Sequence, residues 1–427
     1  MAQHVIMIYD IYYRLDIYFV ILQQMNLLII AANSPKISKG GIERYMSNFI
    51  DYAKGKEDNF FFLYAVADEE SHETYDNVSV SHVALMNKQY TEIEGKQLTA
   101  RNISRQRLTD FHAHIQKFVR DNKIDTICVE NFQTSAEPGY SIMVNMISLS
   151  ESIPVVLNLH SFPTKEIHEA LIKDLLWDKV MCVSNSVAGD CFVKGVPADL
   201  LITNHLGVNT EIFNPQVDKK TLKKELGLEE DTFLILHASR IISGRREVLD
   251  EKGFTYLIEA FSRVSQKDDN LRILFAVALP PERLKNEYEA ALEKLKGYLK
   301  VYGVEDKVIL KNFELDEMPK VYAGSELFIL ASENETFGQV IIESMACGTP
   351  VISTSVGGIL EIVTSGQNGF LIHQKDVAAL ERRIKDLVTS QDLRTQFSKN
   401  GLETVRTKFL STDKFAKAVE ILRNTIR

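Results

Sequence analysis

The sequence predicts an α/β protein built around two doubly wound, mostly parallel sheets. Short apolar runs rich in Val, Ile and Phe alternate with longer amphipathic segments, which is the pattern of parallel strands joined by crossover helices. This pattern breaks near residues 204–230 and then restarts. The length of 427 residues also exceeds what one hydrophobic core usually organises. We therefore expect two Rossmann-like domains that face each other across a cleft.

The apolar runs define the expected elements. Predicted strands span 27–33, 60–66, 78–85, 125–130, 154–160 and 179–184 in the first half, and 233–239, 272–279, 307–313, 327–332, 350–356 and 369–372 in the second. We expect an N-terminal extension without a catalytic role at 1–24, a first domain at 25–205, a second at 206–410, and a terminal helix at 411–427 that crosses back to the first domain. The extension is apolar but interrupted by Asp10, Arg14 and Asp16, which argues against a signal peptide or a membrane span.

Composition excludes several functional classes. The net charge is -9 and no long run of Lys or Arg occurs, so nucleic acid is not an expected partner. The four cysteines lie far apart without a C-x-x-C pair, which predicts reduced thiols rather than a zinc site. We expect a cytoplasmic protein, with peripheral association at the inner face of the membrane as the alternative.

The densest chemical signal follows the predicted strand 327–332. A polar loop containing Glu335 leads into a helix that should start near Gly338 and contain Glu343. Free amides at a helix start carry partial positive charge and bind phosphate, and glycine lets a ligand approach the backbone closely. One anion can therefore sit between the two carboxylates. This arrangement suits a ligand with hydroxyl groups at both ends and phosphate in the middle.

The same stretch, a Glu, seven residues, a second Glu and then Ala-Cys-Gly-Thr-Pro-Val, resembles the donor motif of family 4 glycosyltransferases, the bacterial group 1 type. These are retaining enzymes with the GT-B fold, so the resemblance implies a nucleotide diphosphate sugar, UDP- or GDP-linked, as substrate, and no cofactor. It assigns the donor sugar's hydroxyls to Glu335 and the ribose hydroxyls to Glu343. It also assigns sugar and phosphate contacts to the backbone of Phe337, Gly338 and Gln339.

Two cations of the second half extend the resemblance. Arg240 follows the predicted strand 233–239, and Lys252 precedes Gly253 at the start of a helix. In the family, cations at such positions meet the diphosphate, and charge-assisted hydrogen bonds of this kind contribute about 1.5–3 kcal/mol each. The connection 241–251 is longer than the family's usual one and carries several charges. Because the family has cations at these two positions, the resemblance assigns Arg240 and Lys252 to the departing diphosphate.

The first half contributes a glycine pair and a histidine. Gly40 and Gly41 open a helix after the first strand, and they resemble the family's glycine loop, which faces the diphosphate and the acceptor. His160 ends the predicted strand 154–160, at the edge where parallel sheets bind ligands. It resembles the family's histidine beside the reacting sugar. A structural role for His160 remains the alternative, because isolated histidines are often structural.

Missing motifs narrow the reaction. No two aspartates are separated by a single residue, so the metal-binding Asp-x-Asp pattern of the other major glycosyltransferase fold is missing and no metal is expected. The phosphate-binding loop of ATPases and the nucleophile elbow of hydrolases are also missing. The resemblance implies retaining, metal-independent transfer of a hexosyl-type sugar to a carbohydrate or lipid-linked acceptor, in cell-envelope or exopolysaccharide synthesis. A sugar-nucleotide 2-epimerase, a retaining phosphorylase and a non-catalytic nucleotide-sugar-binding accessory subunit remain alternatives.

Overall fold

A computed structural model describes residues 24–34, 40–67, 69–86, 105–217, 220–241, 248–280 and 284–426. Three predicted features fall wholly or partly outside this set. They are residues 1–23 of the extension, residues 35–39 before the glycine pair, and residues 242–247 of the long connection. Within the described ranges, no helix combines the length and the apolar character that crossing a bilayer requires.

An eight-stranded sheet forms the first half of the molecule. Its strands are β1 (Asn26–Asn33), β2 (Asn59–Val66), β3 (Ser71–Tyr75), β4 (Val78–His82), β5 (Thr126–Glu130), β6 (Val155–Leu159), β7 (Lys179–Cys182) and β8 (Leu201–Thr203). They follow the order β3-β4-β2-β1-β5-β6-β7-β8, and all neighbours are parallel except β3 and β4. The sequence patterns did not predict β3, a polar edge strand, or β8, which has three residues.

A six-stranded parallel sheet forms the second half. Its strands are β9 (Phe233–Ser239), β10 (Leu271–Val277), β11 (Val308–Asn312), β12 (Leu327–Leu330), β13 (Val351–Thr354) and β14 (Phe370–Ile372). They follow the order β11-β10-β9-β12-β13-β14. All six correspond to predicted strands, although β12 and β13 end two residues earlier than the apolar runs suggest. The two sheets confirm the predicted fold class.

Helices connect the strands. They are α1 (Gly41–Ala53), α2 (Arg105–Asp121), α3 (Phe132–Ser135), α4 (Pro138–Glu151), α5 (Glu166–Lys173), α6 (Asn185–Val193), α7 (Lys220–Glu225), α8 (Val248–Glu251), α9 (Phe254–Ser265), α10 (Lys285–Tyr302), α11 (Met318–Ala323), α12 (Gln339–Ala346), α13 (Val377–Thr389), α14 (Gln391–Lys408) and α15 (Ser411–Thr425). Successive side chains of β1 point to opposite faces of the sheet. Leu27 and Ile29 pack with α1 and α15, whereas Leu28 and Ile30 pack with α2 and α4. The first sheet is thus covered on both faces.

The last helix, α15, packs against the first sheet although it follows the second along the chain. The ring of Phe415 stacks on Phe49 of α1, with centroids 4.8 Å apart. Near the end of the helix, Arg423 donates to both carboxylate oxygens of Asp58, at 2.8 and 2.9 Å. The chain therefore passes between the two halves twice.

The strand orders locate the candidate ligand site. In the first sheet β1 lies between β2 and β5, and in the second β9 lies between β10 and β12. The connections leave in opposite directions at these points, which opens a crevice beyond the carboxyl ends of the strands. The loops that follow β1, β5, β9 and β12 are therefore the places to look for functional side chains.

Candidate active site

The loop after β12 leads into a helix whose N-terminus is open. Gly338 precedes α12 with a φ of 99°, in the left-handed region that favours glycine, and no side chain of the described ranges caps the helix start. The first amides of α12 are therefore available to an anion. The loop before them is held by Gly357, where a Cβ atom would lie 1.7 Å from the carbonyl oxygen of Glu335.

Lys252 and Glu335 meet although 83 positions separate them. The Lys252 Nζ atom lies 3.0 Å from Glu335 Oε1, and both side chains are about one fifth exposed, at 21% and 20%. Gly253 makes this possible, because it has a φ of 78° and a Cβ there would lie 2.1 Å from the carbonyl oxygen of Ala331. The turn therefore lies directly against the end of β12. The long connection before it leaves Lys252 beside the donor motif.

Arg240 lies at the carboxyl end of β9 and reaches the first half of the molecule. Its side chain is exposed, and its Nη2 atom lies 3.0 Å from the position that a Cβ atom of Gly40 would occupy. The carboxylate of Glu43 crowds the same position at 2.4 Å. Around Gly41 the same position is open, with no atom within 4 Å. The glycine pair and Arg240 thus face each other between the two halves.

Glu343 is nearly sealed, and it pairs with an arginine of the first half. Arg44 of α1 donates to Glu343 Oε1 at 2.8 Å, while the Tyr322 hydroxyl donates to Oε2 at 3.1 Å. The glutamate side chain is only 4% exposed. Burial, and then the charge of Glu343, hold the pKa of Tyr322 well above its usual range, so its hydroxyl keeps its proton. Arg44 also donates to the carbonyl oxygen of Leu315 at 2.9 Å, which fastens α1 to the second half.

The side chains of Phe337 and Gln339 contact residues at the junction between the halves. The Phe337 ring is buried against His205 and Phe409, with both centroid distances 5.8 Å. The Gln339 amide donates to the carbonyl oxygen of Gly207 at 3.1 Å. The Gln339 Oε1 atom is buried and has no hydrogen-bond partner among the described residues. The family resemblance assigns ligand contacts to the backbone of these two residues.

His160 follows β6 and is held by polar groups from β5. Its Nε2 atom lies 2.8 Å from Oε2 of the fully buried Glu130, and its backbone N–H donates to the Asn131 side chain at 3.0 Å. Asn131 has a φ of 56°, a left-handed conformation that asparagine tolerates better than most residues. The Tyr45 ring packs edge-on against the imidazole at 4.9 Å.

Sequence reasoning missed Glu130, Arg44 and Tyr322. Glu130 carried a usable signal, because it ends a strand beside the switch point of its sheet. Arg44 follows the glycine pair within one helical turn, but nothing in the sequence pairs it with a residue 299 positions away. Tyr322 carried no signal, because it resembles any other aromatic residue of an apolar helix.

A second set of contacts fastens the halves on the other side of α12. The Glu361 carboxylate accepts from the backbone N–H groups of Asn185 and Ser186, at 3.0 and 3.2 Å, and so caps α6 of the first half. His205 Nε2 lies 2.7 Å from the same carboxylate. Among the residues with described positions, no three His, Cys, Asp or Glu side chains are grouped to hold a metal ion.

Comparison with known proteins shows a family likeness in the second half of the chain. Residues 218–404 match the family model described as glycosyl transferases group 1. The chain is 28% identical over 234 residues to N-acetyl-alpha-D-glucosaminyl L-malate synthase of Bacillus anthracis, which covers 55% of this chain and 56% of that protein. It is 28% identical over 206 residues to the capsular polysaccharide biosynthesis glycosyltransferase CapM of Staphylococcus aureus, covering 48% and 49%. The matches span about half the length of these relatives.

Solved structures extend the likeness to the fold of the whole chain. A glycosyltransferase from Rickettsia africae has a TM-score of 0.74 at 18% identity, with coverage of 95% of this chain and 99% of that one. Anabaena HepE in complex with UDP-glucose has a TM-score of 0.71 at 21% identity, with coverage of 94% and 100%. These likenesses confirm the predicted GT-B fold.

Proposed function

We propose that this chain, whose residues 218–404 match the family model of group 1 glycosyltransferases, moves a hexosyl-type sugar from a nucleotide diphosphate to an acceptor, with retention of configuration. The observation that carries the proposal is the contact of Lys252 with Glu335 in the loop before the open start of α12. Glu343 lies within that helix, and Arg240 reaches the glycine pair of the first half. These groups come from the loops after β9 and β12 and from α12 itself, at the switch point of the second sheet. Cations and free amides next to hydroxyl-binding carboxylates suit a sugar diphosphate.

The proposed pose runs along the donor motif. The diphosphate lies between Arg240, Lys252 and the first amides of α12, while Glu335 accepts hydrogen bonds from the sugar hydroxyls. Glu343 accepts from the ribose at the other end. The glycine pair at 40–41 lets the first half approach the diphosphate. In this assignment residues 25–205 hold mainly the acceptor, and residues 206–410 hold the donor.

The chemistry follows from that pose. An acceptor hydroxyl oxygen bonds to the anomeric carbon on the face from which the nucleotide leaves, and the bond between that carbon and the phosphate oxygen breaks. The bonding electrons leave with the nucleoside diphosphate, which also takes up the acceptor proton. Arg240, Lys252 and the helix amides stabilise the charge that builds on the diphosphate. The proposal therefore needs neither a metal ion nor a covalent nucleophile.

Relatives suggest where to look for substrates. HepE is solved with UDP-glucose, so UDP-sugars are the first donors to test and GDP-sugars the second. The likeness to CapM favours a carbohydrate or lipid-linked acceptor from cell-envelope or exopolysaccharide synthesis. We place the enzyme in the cytoplasm, with peripheral contact to the inner face of the membrane where the acceptor is lipid-linked.

The rival activities make different products. A sugar-nucleotide 2-epimerase would release no free nucleotide from a mixture of donor and acceptor, and a phosphorylase would require inorganic phosphate. A non-catalytic accessory subunit would bind donor without turnover. Release of nucleoside diphosphate that depends on acceptor but not on phosphate supports the transferase over all three.

The test pairs a donor screen with two matched variants. Thermal stabilisation by UDP-, GDP- and ADP-sugars identifies the donor, and slow donor hydrolysis or transfer measures turnover.

Glu335→Gln keeps the shape of the side chain but removes a charge-assisted contact, so we expect kcat/KM to fall about ten- to a hundred-fold. The control is Glu333→Gln in the same loop, whose carboxylate already pairs with Lys375 at 3.0 Å and the Tyr256 hydroxyl at 2.7 Å. Equal activity of the two variants would refute the site.

A further inference from the structure

Glu130 is a fully buried carboxylate directly beside His160, the histidine that the family resemblance assigns to the reacting sugar. Its Oε2 atom receives the Asn158 side-chain amide at 2.9 Å and lies 2.8 Å from His160 Nε2. Its Oε1 atom receives the Cys128 thiol at 3.6 Å. Burial of a carboxylate is costly unless hydrogen-bond donors surround it. Three polar neighbours, from β5, β6 and the residue after β6, therefore surround this one side chain.

No lysine or arginine of the described ranges pairs with Glu130, and the His160 imidazole is the titratable group in hydrogen-bond contact with its Oε2 atom. Tyr45 and Cys128 remain neutral, because burial and then the charge of Glu130 raise the pKa of each well above its usual range. Neither can replace the imidazole as a charge partner. The Glu130 carboxylate therefore interacts with one ring nitrogen of His160, the Nε2 atom.

We propose that Glu130 is a positioning residue that keeps the proton of His160 on Nε2 and leaves Nδ1 to meet the substrate. An oxygen that accepts from the Asn158 amide can also accept from an imidazole N–H, so the 2.8 Å contact requires hydrogen on Nε2. The backbone bond to Asn131 and the edge of the Tyr45 ring hold the imidazole in place. With the ring held, the identity of the protonated nitrogen determines what His160 offers a ligand. The role rests on the proposed function only in that the ligand is a donor sugar.

Within the described residues, Nδ1 of His160 forms no hydrogen bond with the chain. In the neutral ring this atom is an acceptor for a hydroxyl group, and in the charged ring it is a donor to a phosphate oxygen. If the proton moved from Nε2 to Nδ1, the neutral ring would offer a donor where an acceptor is needed. Glu130 prevents that exchange because its carboxylate stabilises hydrogen on the other nitrogen.

The chain contains a histidine of the opposite kind that serves as an internal reference. Nδ1 of the fully buried His237 lies 2.9 Å from the carbonyl oxygen of Ile329, which can only accept, so the proton must be on Nδ1. Burial lowers the pKa of His237 to about 4, so the ring stays neutral at neutral pH. His160 and His237 should therefore give opposite patterns in one spectrum.

Nitrogen-15 NMR of histidine-labelled full-length protein, at about pH 8 where free imidazole is neutral, reads both rings directly. We expect His160 to carry its proton on Nε2 and His237 on Nδ1. In Glu130→Leu, which removes both acceptor oxygens, the His160 signals should move toward the mixture of an unconstrained imidazole while those of His237 stay unchanged. A wild-type His160 protonated on Nδ1 overturns the proposal even if the variants fail to fold, as does a Glu130→Leu spectrum with unchanged His160 signals.

Kinetics separate positioning from mere stability. For Glu130→Leu we expect kcat to fall about ten- to a hundred-fold, by analogy with loss of the groups that orient metal-bound histidines, while KM for the donor changes less than threefold. Glu130→Gln retains one acceptor oxygen and should recover part of kcat. A loss that appears only in the melting temperature overturns the kinetic role of Glu130. If wild-type protein neither binds nor turns over any nucleotide sugar, the proposed function fails, while the NMR result still decides the positioning of His160.

Discussion

Lys252, one of the two cations assigned to the donor, already pairs with a carboxylate of the chain. Its Nζ atom lies 3.0 Å from Glu335 Oε1, and both side chains are about one fifth exposed, at 21% and 20%. Such a partly buried pair holds both side chains near their proposed working positions. Arg240 differs, because its side chain is exposed at the glycine pair.

His237 makes stability depend on pH in a predictable direction. Burial lowers its pKa to about 4 from a normal value of 6.5, so the unfolded chain binds a proton that the folded chain refuses. The stability is fully present above about pH 6.5, and the free energy of unfolding falls by about 3 kcal/mol as the pH is lowered to 4. Urea unfolding at about pH 7 and pH 4.5 should show this loss, and His237→Phe should remove it. If wild type and variant show the same pH dependence of stability, His237 is not its cause.

At this scale the sequence singled out candidate residues of the proposed site but not their structural partners. Glu335 and Lys252 were found from a motif and from strand ends, and the structure places them 3.0 Å apart. Arg44 and Glu130 were not found, because their importance arises from side chains on other elements. Spacing along a chain does not predict an ion pair across 299 positions.

Among the secondary elements, the turn at Gly357 holds the donor loop in place. Gly357 has a φ of 50°, and a Cβ atom there would overlap the Glu335 carbonyl oxygen at 1.7 Å. We expect Gly357→Ala to displace the loop and raise KM for the donor at least about tenfold, in addition to a backbone cost of about 1–2 kcal/mol.

Gly366→Ala is the matched control for that variant. Gly366 also has a positive φ, of 79°, but no atom lies within 4 Å of its Cβ position. It should therefore show the backbone cost in its melting temperature without the change in KM. If both variants bind donor like the wild type, the Gly357 turn does not support the loop.

Element boundaries show what periodicity can and cannot predict. The buried strands of both sheets were predicted because burial on two faces produces continuous apolar runs. β3 was not predicted, because its sequence Ser-His-Glu-Thr-Tyr is polar and lies at an exposed edge. β12 ends at Leu330 although Ala331 and Ser332 are also buried, because the chain turns there into the polar loop of the site.

Across the whole molecule, the pair between Arg44 and Glu343 couples the donor site to the contact between the halves. The carboxylate is 4% exposed and both its oxygens are engaged, so in the proposed pose the ribose hydroxyls must displace Arg44 to reach it. We expect Arg44→Gln to bind nucleoside diphosphate about three- to tenfold more tightly by calorimetry, since about 1 kcal/mol of competition is removed.

Arg120→Gln is the control, because Arg120 also pairs with a glutamate, Glu151, but does so inside the first half, through bonds of 2.9 and 2.7 Å. Its nucleotide affinity should equal that of the wild type. Weaker binding by Arg44→Gln would instead make Arg44 a direct contact of the nucleotide and would remove the competition described above.

The two passages of the chain between the halves run side by side. The Val208 N–H donates to the Phe409 carbonyl oxygen at 2.8 Å, and the Ser411 N–H donates to the Val208 carbonyl oxygen at 3.1 Å. Gly207 permits this closeness, because a Cβ atom there would lie 2.5 Å from Ser411 Cα. A protease that cuts only one passage would therefore leave the two lobes joined by the other, and separate lobes would require two cuts. Because the two passages lie side by side, we expect the two lobes to open about one shared axis rather than to twist against each other.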